Sequence, residues 1–221
     1  MYLLHYISTL LQIPEVSATK PCITNKMLEF CVNLIKVLDD VDMKADDAKY
    51  DSETNLYERH VILIFLPGIN EIEEINNLLC LPKHEQSKWD IVILHSSITS
   101  EEQQRIFQKP PHGYRRLILS TNIAESSITV PDVKYGVLNY NKRKFVYKAI
   151  FNFVFFSVID FCLIKHLITD QHTNFSCLEL KWASKANCEQ RAGRTGRVMD
   201  GRVYRLVPQT FYEVISVKKL F

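Results

Sequence analysis

Six consecutive apolar residues, Val61 to Leu66, run into Pro67-Gly68, after which apolar residues return at Ile69, Ile72, Ile75, Leu78 and Leu79. The first run is continuous and rich in β-branched side chains, which predicts a strand covered on both faces; the second has a helical period. Covered strand, tight turn and amphipathic helix together make the unit of a parallel sheet.

The rest of the chain repeats that alternation. Asp90 to Leu94 reads as a second strand, and Ser100 to Phe107 as a helix with Ser100 as N-cap and Gln103 three residues on. Arg116 to Ser120 gives a third strand running into Thr121-Asn122, and Val203 to Val207 a further one, entered from Gly201 and closed by Pro208. Ahead of them, Ile23 to Val41 has apolar residues at helical spacing, and the acidic stretch Asp39 to Asn55 reads as a mobile surface loop that tolerates insertion. The expected fold is a doubly wound α/β domain, in which ligands bind at the carboxyl ends of the strands. Pro67-Gly68, His95-Ser96-Ser97 and Thr121-Asn122 all fall at such ends.

Composition narrows the classes. With 221 residues and 47% hydrophobic content the chain can bury one α/β core, and 27 basic against 25 acidic side chains leave a net charge of only +2, so any basic surface is local. Cysteines 22, 31, 80, 162, 177 and 188 contain no CxxC pair and no histidine at zinc spacing; they read as reduced intracellular thiols, mostly core filler, and no metal site is expected. Met1 to Ile13 is apolar but lacks the basic start and cleavage site of a secretory signal. The apolar run Ala149 to Ile164 is broken by Asn152 and Asp160 and falls short of the ~20 residues of a membrane span.

The segment Gln190 to Arg197 places arginines at 191, 194 and 197 with small residues between them. Planar, permanently charged guanidiniums suit phosphate oxygens, and glycines let backbone approach a ligand, so the segment reads as a phosphate-facing loop at a helix rather than a solvated basic turn. No GxxxxGK[ST] stretch and no Asp-Glu-x-His or Asp-Glu-x-Asp run occurs. Phosphoryl transfer to water needs a metal, a positioned nucleophile and cationic stabilisation, and this sequence visibly supplies the last alone.

Four ordered motifs carry a resemblance. Leu63 to Gly68 with Asn70 to Glu73, then Leu94 to Ser97 with Glu102 to Phe107, resemble motif IV and its neighbour in DEAH-box RNA helicases; Ser120 to Val130 resembles motif V, and Gln190 to Arg197 motif VI. The match covers roughly Ile23 to Tyr212 and implies a three-layer RecA-like domain with a mostly parallel sheet, the second of two such domains. Residues 1–22 then look like a remnant of the first domain, and 213–221 like the start of a following winged-helix region.

The resemblance implies roles by position. Gln190, Arg194 and Arg197 would meet the phosphates of ATP, Arg194 and Arg197 as arginine fingers; Arg191 is assigned structural contacts, its alternative being the phosphates. Phe107 matches the aromatic on which adenine stacks, its alternative being an ordinary apolar helix position. Thr129 matches a residue near the ribose, although the Asp usual two residues later is Pro131 here, with Asp132 displaced by one. Gly68, Thr121 and Asn122 match residues that touch the RNA backbone, the alternative role of Thr121 and Asn122 being to cap the next turn. His95 is read as a strand-end structural residue.

Magnesium would accompany ATP, held by the missing first domain. The implied partners are single-stranded RNA and that first domain. The wording around Ile128 to Tyr135, Ile159 to Leu163 and Trp182 to Arg194 is closest to the branch that acts in piRNA-mediated transposon silencing in the germ line. That branch implies piRNA-pathway proteins as further partners, a cytoplasmic setting in perinuclear germ granules, and no membrane.

One segment departs from the family pattern. There Tyr135 runs straight into Val158 within one core strand, whereas here Gly136 to Ser157 intervenes, 22 residues dominated by Asn, Lys, Tyr and Phe. A strand interrupted in its middle should lose its ladder. A translated intron of 66 nucleotides, with Val158 as the rejoined codon, accounts for the segment. The alternative is a basic-aromatic RNA-stacking loop, Lys142, Arg143 and Lys144 beside Phe145 and Tyr147, looped out at a strand end or paired as an added hairpin.

The sequence thus predicts part of an ATP-dependent RNA helicase, inactive by itself. A non-catalytic RNA- or protein-binding module is the competing reading from another class, and a DNA helicase of the same superfamily a weaker third.

Overall fold

The computed structural model describes residues 16–17, 19–44, 50–51, 56–57, 61–99, 102, 104–108, 110–111, 113–126, 155–169, 174–195 and 201–217. In chain order they form α1 (Asn25–Lys44), β1 (Tyr50–Asp51), β2 (Leu56–Tyr57), β3 (Val61–Phe65), α2 (Ile69–Leu79), a 3₁₀ turn (Pro82–Ser87), β4 (Trp89–Leu94), a second 3₁₀ turn (Arg105–Phe107), β5 (Arg115–Ser120), α3 (Ile123–Ser126), β6 (Phe155–Asp160), β7 (Leu163–Thr169), β8 (Ser176–Trp182), α4 (Lys185–Ala192), β9 (Arg202–Arg205) and α5 (Gln209–Val217).

Five strands build one sheet in the order β4-β5-β3-β6-β9, every neighbouring pair parallel. The expected α/β fold is therefore present, with the Val61–Leu66 run at its centre. Ile62, Ile64 and Leu66 face α1 and α2, packing with Met27, Leu34, Ile35, Leu38, Ile72 and Ile75. Leu63 and Phe65 face the other way, onto Ile106, Ile118, Ala124 and Val158. Each fully buried aliphatic side chain of this kind contributes roughly 1.5–3 kcal/mol. That two-sided burial is why β3 has no polar residue to spare.

Helix α1 starts where Thr24 caps it, its hydroxyl accepting the Met27 amide at 3.3 Å. It runs past the expected end at Val41 and takes Asp39 and Asp42 with it. The acidic stretch is thus not a mobile loop from Asp39 onward: Asp39 accepts the Trp89 indole N–H at 2.6 Å, and both aspartates pair with the buried Arg115 of β5. A guanidinium inside the sheet needs those carboxylates, and they hold the last turns of α1 in place. The helix expected at Ser100 begins differently too. Thr99 and Glu102 cap reciprocally, the Glu102 amide donating to the Thr99 hydroxyl at 3.3 Å and the Thr99 amide to the Glu102 carboxylate at 2.9 Å. Thr99 is therefore the N-cap in place of Ser100, which itself lies outside the described residues.

The segment 136–157 does not break the ladder. Residues 136–154 lie outside the described residues, but Phe155 to Ser157 form the first half of β6, continuous with Val158 to Asp160. Val61 pairs with Phe155 and Ile62 with Ser157, so the register slips by one residue at Phe156 and is regular from there to Phe65 opposite Asp160. The expected loss of pairing fails because a parallel strand needs any extended residues on its early rungs, and the end of the inserted segment supplies them.

An antiparallel hairpin, β7 with β8, leaves the sheet after β6 and was not anticipated, although Leu178, Leu180 and Trp182 alternate with Glu179 and Lys181. Cys162 turns the chain into it with a left-handed φ of 57°. Asp160 steadies that turn by accepting the Cys162 amide at 2.8 Å. Of the six cysteines three are buried (31, 162 and 188) and three exposed (22, 80 and 177), all as free thiols, so core filling accounts for half of them. Among the described residues no helix is long and apolar enough to cross a membrane.

Candidate functional site

The carboxyl ends of the parallel strands converge on α4. Ser184 caps that helix, its hydroxyl accepting the Asn187 amide at 3.2 Å, and the helix carries Gln190 and Arg191 before turning at Gly193. The turn continues regularly, with the Arg194 amide on the Arg191 carbonyl and the Thr195 amide on that of Ala192, both at 3.1 Å. Gly193 has an ordinary right-handed φ of −66°, so no special backbone angle calls for glycine there.

Arg191 divides from its neighbours. It is 1% exposed, and its Nε donates to Glu125 Oε1 at 2.7 Å, its Nη1 to Asp160 Oδ1 at 2.7 Å, and both Nη atoms to the Leu163 carbonyl at 3.3 Å. The guanidinium also lies 5.1 Å from the centre of the Phe65 ring. Glu125 is completed by Asn187 Nδ2 at 3.0 Å. Burial alone would lower the arginine's pKa, but the charges of Asp160 and Glu125 more than reverse that and hold it above its usual value. Arg191 is thus the structural arginine of the three, a cation joining β3, α3, β6, β7 and α4. Its partners Glu125 and Asp160, and the Asn187 that completes Glu125, were missed in the sequence, where nothing marks which carboxylates will meet a buried arginine.

Gln190 is exposed and Arg194 half-buried, one turn apart on either side of Arg191. Arg197 and Thr129 lie outside the described residues, as does the side chain of Phe107, whose backbone belongs to the second 3₁₀ turn. Gly68 is buried beneath an ion pair between Lys165 of β7 and Glu71 of α2, 2.8 Å apart. A methyl group on Gly68 would come within 2.6 Å of the Lys165 Nζ and 2.8 Å of Glu71 Oε2, so glycine leaves room for that ion pair as it stands, and a larger residue would have to push its two flexible ends aside. Thr121 is buried and Asn122 exposed; their carbonyls accept the Ala124 amide at 3.3 Å and the Glu125 amide at 2.9 Å, opening α3. His95 accepts the Ser97 amide on Nδ1 at 3.1 Å, a strand-end turn contact as expected.

Asp160, Cys162 and Cys188 bring ligand-type atoms within 4.8 Å of one another. The bond to Cys188, then burial, push the Cys162 thiol well above its usual pKa. Glu125 is taken by Arg191 and Asn187, whereas Arg191 and the Cys162 amide both meet Asp160 on Oδ1 and its Oδ2 is buried without a hydrogen-bond partner among the described residues. A guanidinium already on Asp160 and a thiol held protonated beside it do not suit a divalent cation.

Residues 48–199 match the family model described as the helicase conserved C-terminal domain. The chain is 44% identical over 195 residues to the ATP-dependent RNA helicase TDRD9 of Mus musculus, covering 88% of this chain and 12% of that protein. It is 43% identical over 183 residues to the probable ATP-dependent RNA helicase spindle-E of Drosophila willistoni, covering 82% of this chain and 11% of that protein. The fold is similar to the crystal structure of the E. coli DExH-box NTPase HrpB, with a TM-score of 0.55 at 24% identity over 82% of this chain and 19% of that one. The chain thus spans only about an eighth of the length of the curated relatives it matches.

Proposed function

Because this chain belongs to the helicase conserved C-terminal domain family, we propose that it serves as the second RecA-like half of an ATP-dependent RNA helicase. The observation that carries this reading is the buried Arg191, which fixes α4 to the strand ends and leaves Gln190 and Arg194 on either side of it. A cation so held cannot swing, so its neighbours on α4 are presented in a fixed direction. Preorganised charge of that kind stabilises a transition state without reorganising when the reaction occurs.

In this reading ATP and its magnesium are gripped by a first RecA-like domain, and this chain closes over them. ATP supplies the transferable phosphoryl group. Gln190 orients at the phosphates, while Arg194 and Arg197 offset the charge that develops on the phosphoryl oxygens, a contribution typically of about 10³–10⁵ in rate. Thr129 and Phe107 would face ribose and adenine. Gly68, Thr121 and Asn122 sit at strand ends where the RNA backbone would run, contacts that hold a strand without reading its sequence. The likeness to TDRD9 and spindle-E, both named ATP-dependent RNA helicases, supports a parent protein that acts on RNA; its setting in piRNA-mediated silencing, in the cytoplasm of germ cells, is the further part of this proposal and rests on the motif wording around Ile128, Ile159 and Trp182.

Mixing this chain with a first RecA-like domain carrying P-loop and DEAH elements tests the reading. RNA-stimulated ATPase that appears on mixing and disappears with Arg194→Ala supports it. Unchanged activity in that variant refutes the finger role, and salt-sensitive RNA binding indifferent to the added domain would favour a non-catalytic binding module.

A further inference from the structure

Arg116 is a second buried arginine, 4% exposed, and nothing in the phosphate chemistry uses it. It stands on β5 directly opposite Asp90 of β4. Its Nε and Nη2 both donate to Asp90 Oδ2, at 2.8 and 2.5 Å. Its remaining nitrogen, Nη1, reaches out of the sheet to two backbone carbonyls of the second 3₁₀ turn, Arg105 at 2.9 Å and Ile106 at 3.1 Å, and to that of Gln108 just after it. Asp90 also takes Arg105 Nη2 at 3.5 Å through its other oxygen.

The last carbonyls of a helical turn have no partner within the turn, and a short 3₁₀ segment is weakly held by its own bonds. Here a single guanidinium, itself pinned by a carboxylate on the neighbouring strand, takes the Ile106 and Gln108 carbonyls and adds a second donor to that of Arg105, which the Gln108 amide already reaches at 3.2 Å. The carbonyls it holds belong to residues on both sides of Phe107. We infer that Arg116, fixed by Asp90, is a positioning residue for Phe107, setting where the aromatic that receives the nucleotide base stands relative to the sheet. The inference rests on the proposed role of Phe107 as that aromatic. It requires arginine in particular: only a fork of donors can hold a carboxylate with one edge and carbonyls with the other, whereas a lysine ammonium is a single point.

The test is steady-state ATPase of a full-length helicase carrying this domain, comparing wild type, Phe107→Ala and Arg116→Lys. Lysine keeps the charge beside Asp90, so the variant folds where Arg116→Ala leaves a buried carboxylate unpaired. If Phe107 carries the base, Phe107→Ala raises KM for ATP about tenfold, the order of loss when an aromatic stack beneath a base is removed. The inference predicts that Arg116→Lys also raises KM, by about threefold or more, with kcat at saturating ATP retained, because ground-state and transition-state binding are lost equally. Global destabilisation would instead lower the active fraction, and so kcat, at constant KM. A rise in KM with Phe107→Ala and none with Arg116→Lys overturns the inference and leaves the reading of Phe107 intact. A fall in kcat at unchanged KM in Arg116→Lys overturns it as well. No rise in KM with Phe107→Ala refutes the reading of Phe107, and the inference falls with it.

Discussion

Replacing Arg191 by methionine keeps most of the side-chain volume and deletes only the charge and its donors. Two carboxylates then lose their counter-ion, Glu125 at 9% exposure and Asp160 at 0%, and the Leu163 carbonyl loses its donor. Removing one partner of a buried ion pair typically costs about 3–5 kcal/mol, because the other charge stays buried without compensation. That is a third or more of the ~5–15 kcal/mol by which domains are usually stable. At about 2–4 °C per kcal/mol for a chain of this size, the midpoint should fall by roughly 6–20 °C. Urea unfolding followed by circular dichroism measures this, with an unchanged slope showing that stability and not the unfolded state has moved. The triple variant Arg191→Met, Glu125→Gln, Asp160→Asn tests the cause, since neutral amides in place of the carboxylates should recover much of the loss. A single substitution costing under about 1 kcal/mol, or a triple variant no better than the single, would refute the account of Arg191 as a cation held by buried charge.

Gly68→Ala forces its methyl against the far ends of Lys165 and Glu71, which can swing aside; overpacking at its low end, about 1 kcal/mol, should appear as a slightly lowered thermal midpoint. His84 is buried beside Trp89, and burial, then the charges of Lys36 and Lys83, lower its pKa from the usual value. The unfolded chain therefore takes up the proton first: the stabilisation is complete above about pH 6.5 and is lost as pH falls through the lower folded value, a limb that should vanish from the stability profile of His84→Gln. Deleting Gly136 to Ser157 puts Tyr135 on the rung of Ser157 and Lys134 in the place of the slack Phe156, and the variant should still unfold in one cooperative step; a non-cooperative transition by circular dichroism would show that the start of β6 needs its present residues.

The sheet was legible because its strands are covered on both faces, and a two-sided strand has to be apolar throughout, as Val61 to Phe65 is. Strand β5 was legible from Arg116 onward, but Arg115 on its first rung was not, since charge at a strand start looks like solvent exposure and here means burial against Asp39 and Asp42. The division of labour among the three arginines was only half readable. Spacing every three residues puts successive arginines near one another on a helix face and does not say which of them turns inward; that depends on Glu125 and Asp160, 66 and 31 residues away. The hairpin escaped notice because its outer half is exposed on both strands, Leu167 and Leu178 included, so no core pattern announced it.

Strand β6 has a further consequence. Its position is set from its far end, where Ile159 and Asp160 lock against Ile64 and Phe65 and where Asp160 meets Arg191, while its early rungs accept Phe155 and Ser157 and absorb Phe156 as a slack residue. The strand is therefore anchored like a mooring line made fast at one cleat. Chain can be paid out or taken in just upstream of it without moving the knot, so the segment that ends at Ser157 can change length while α3, β6 and the geometry around Arg191 stay where they are.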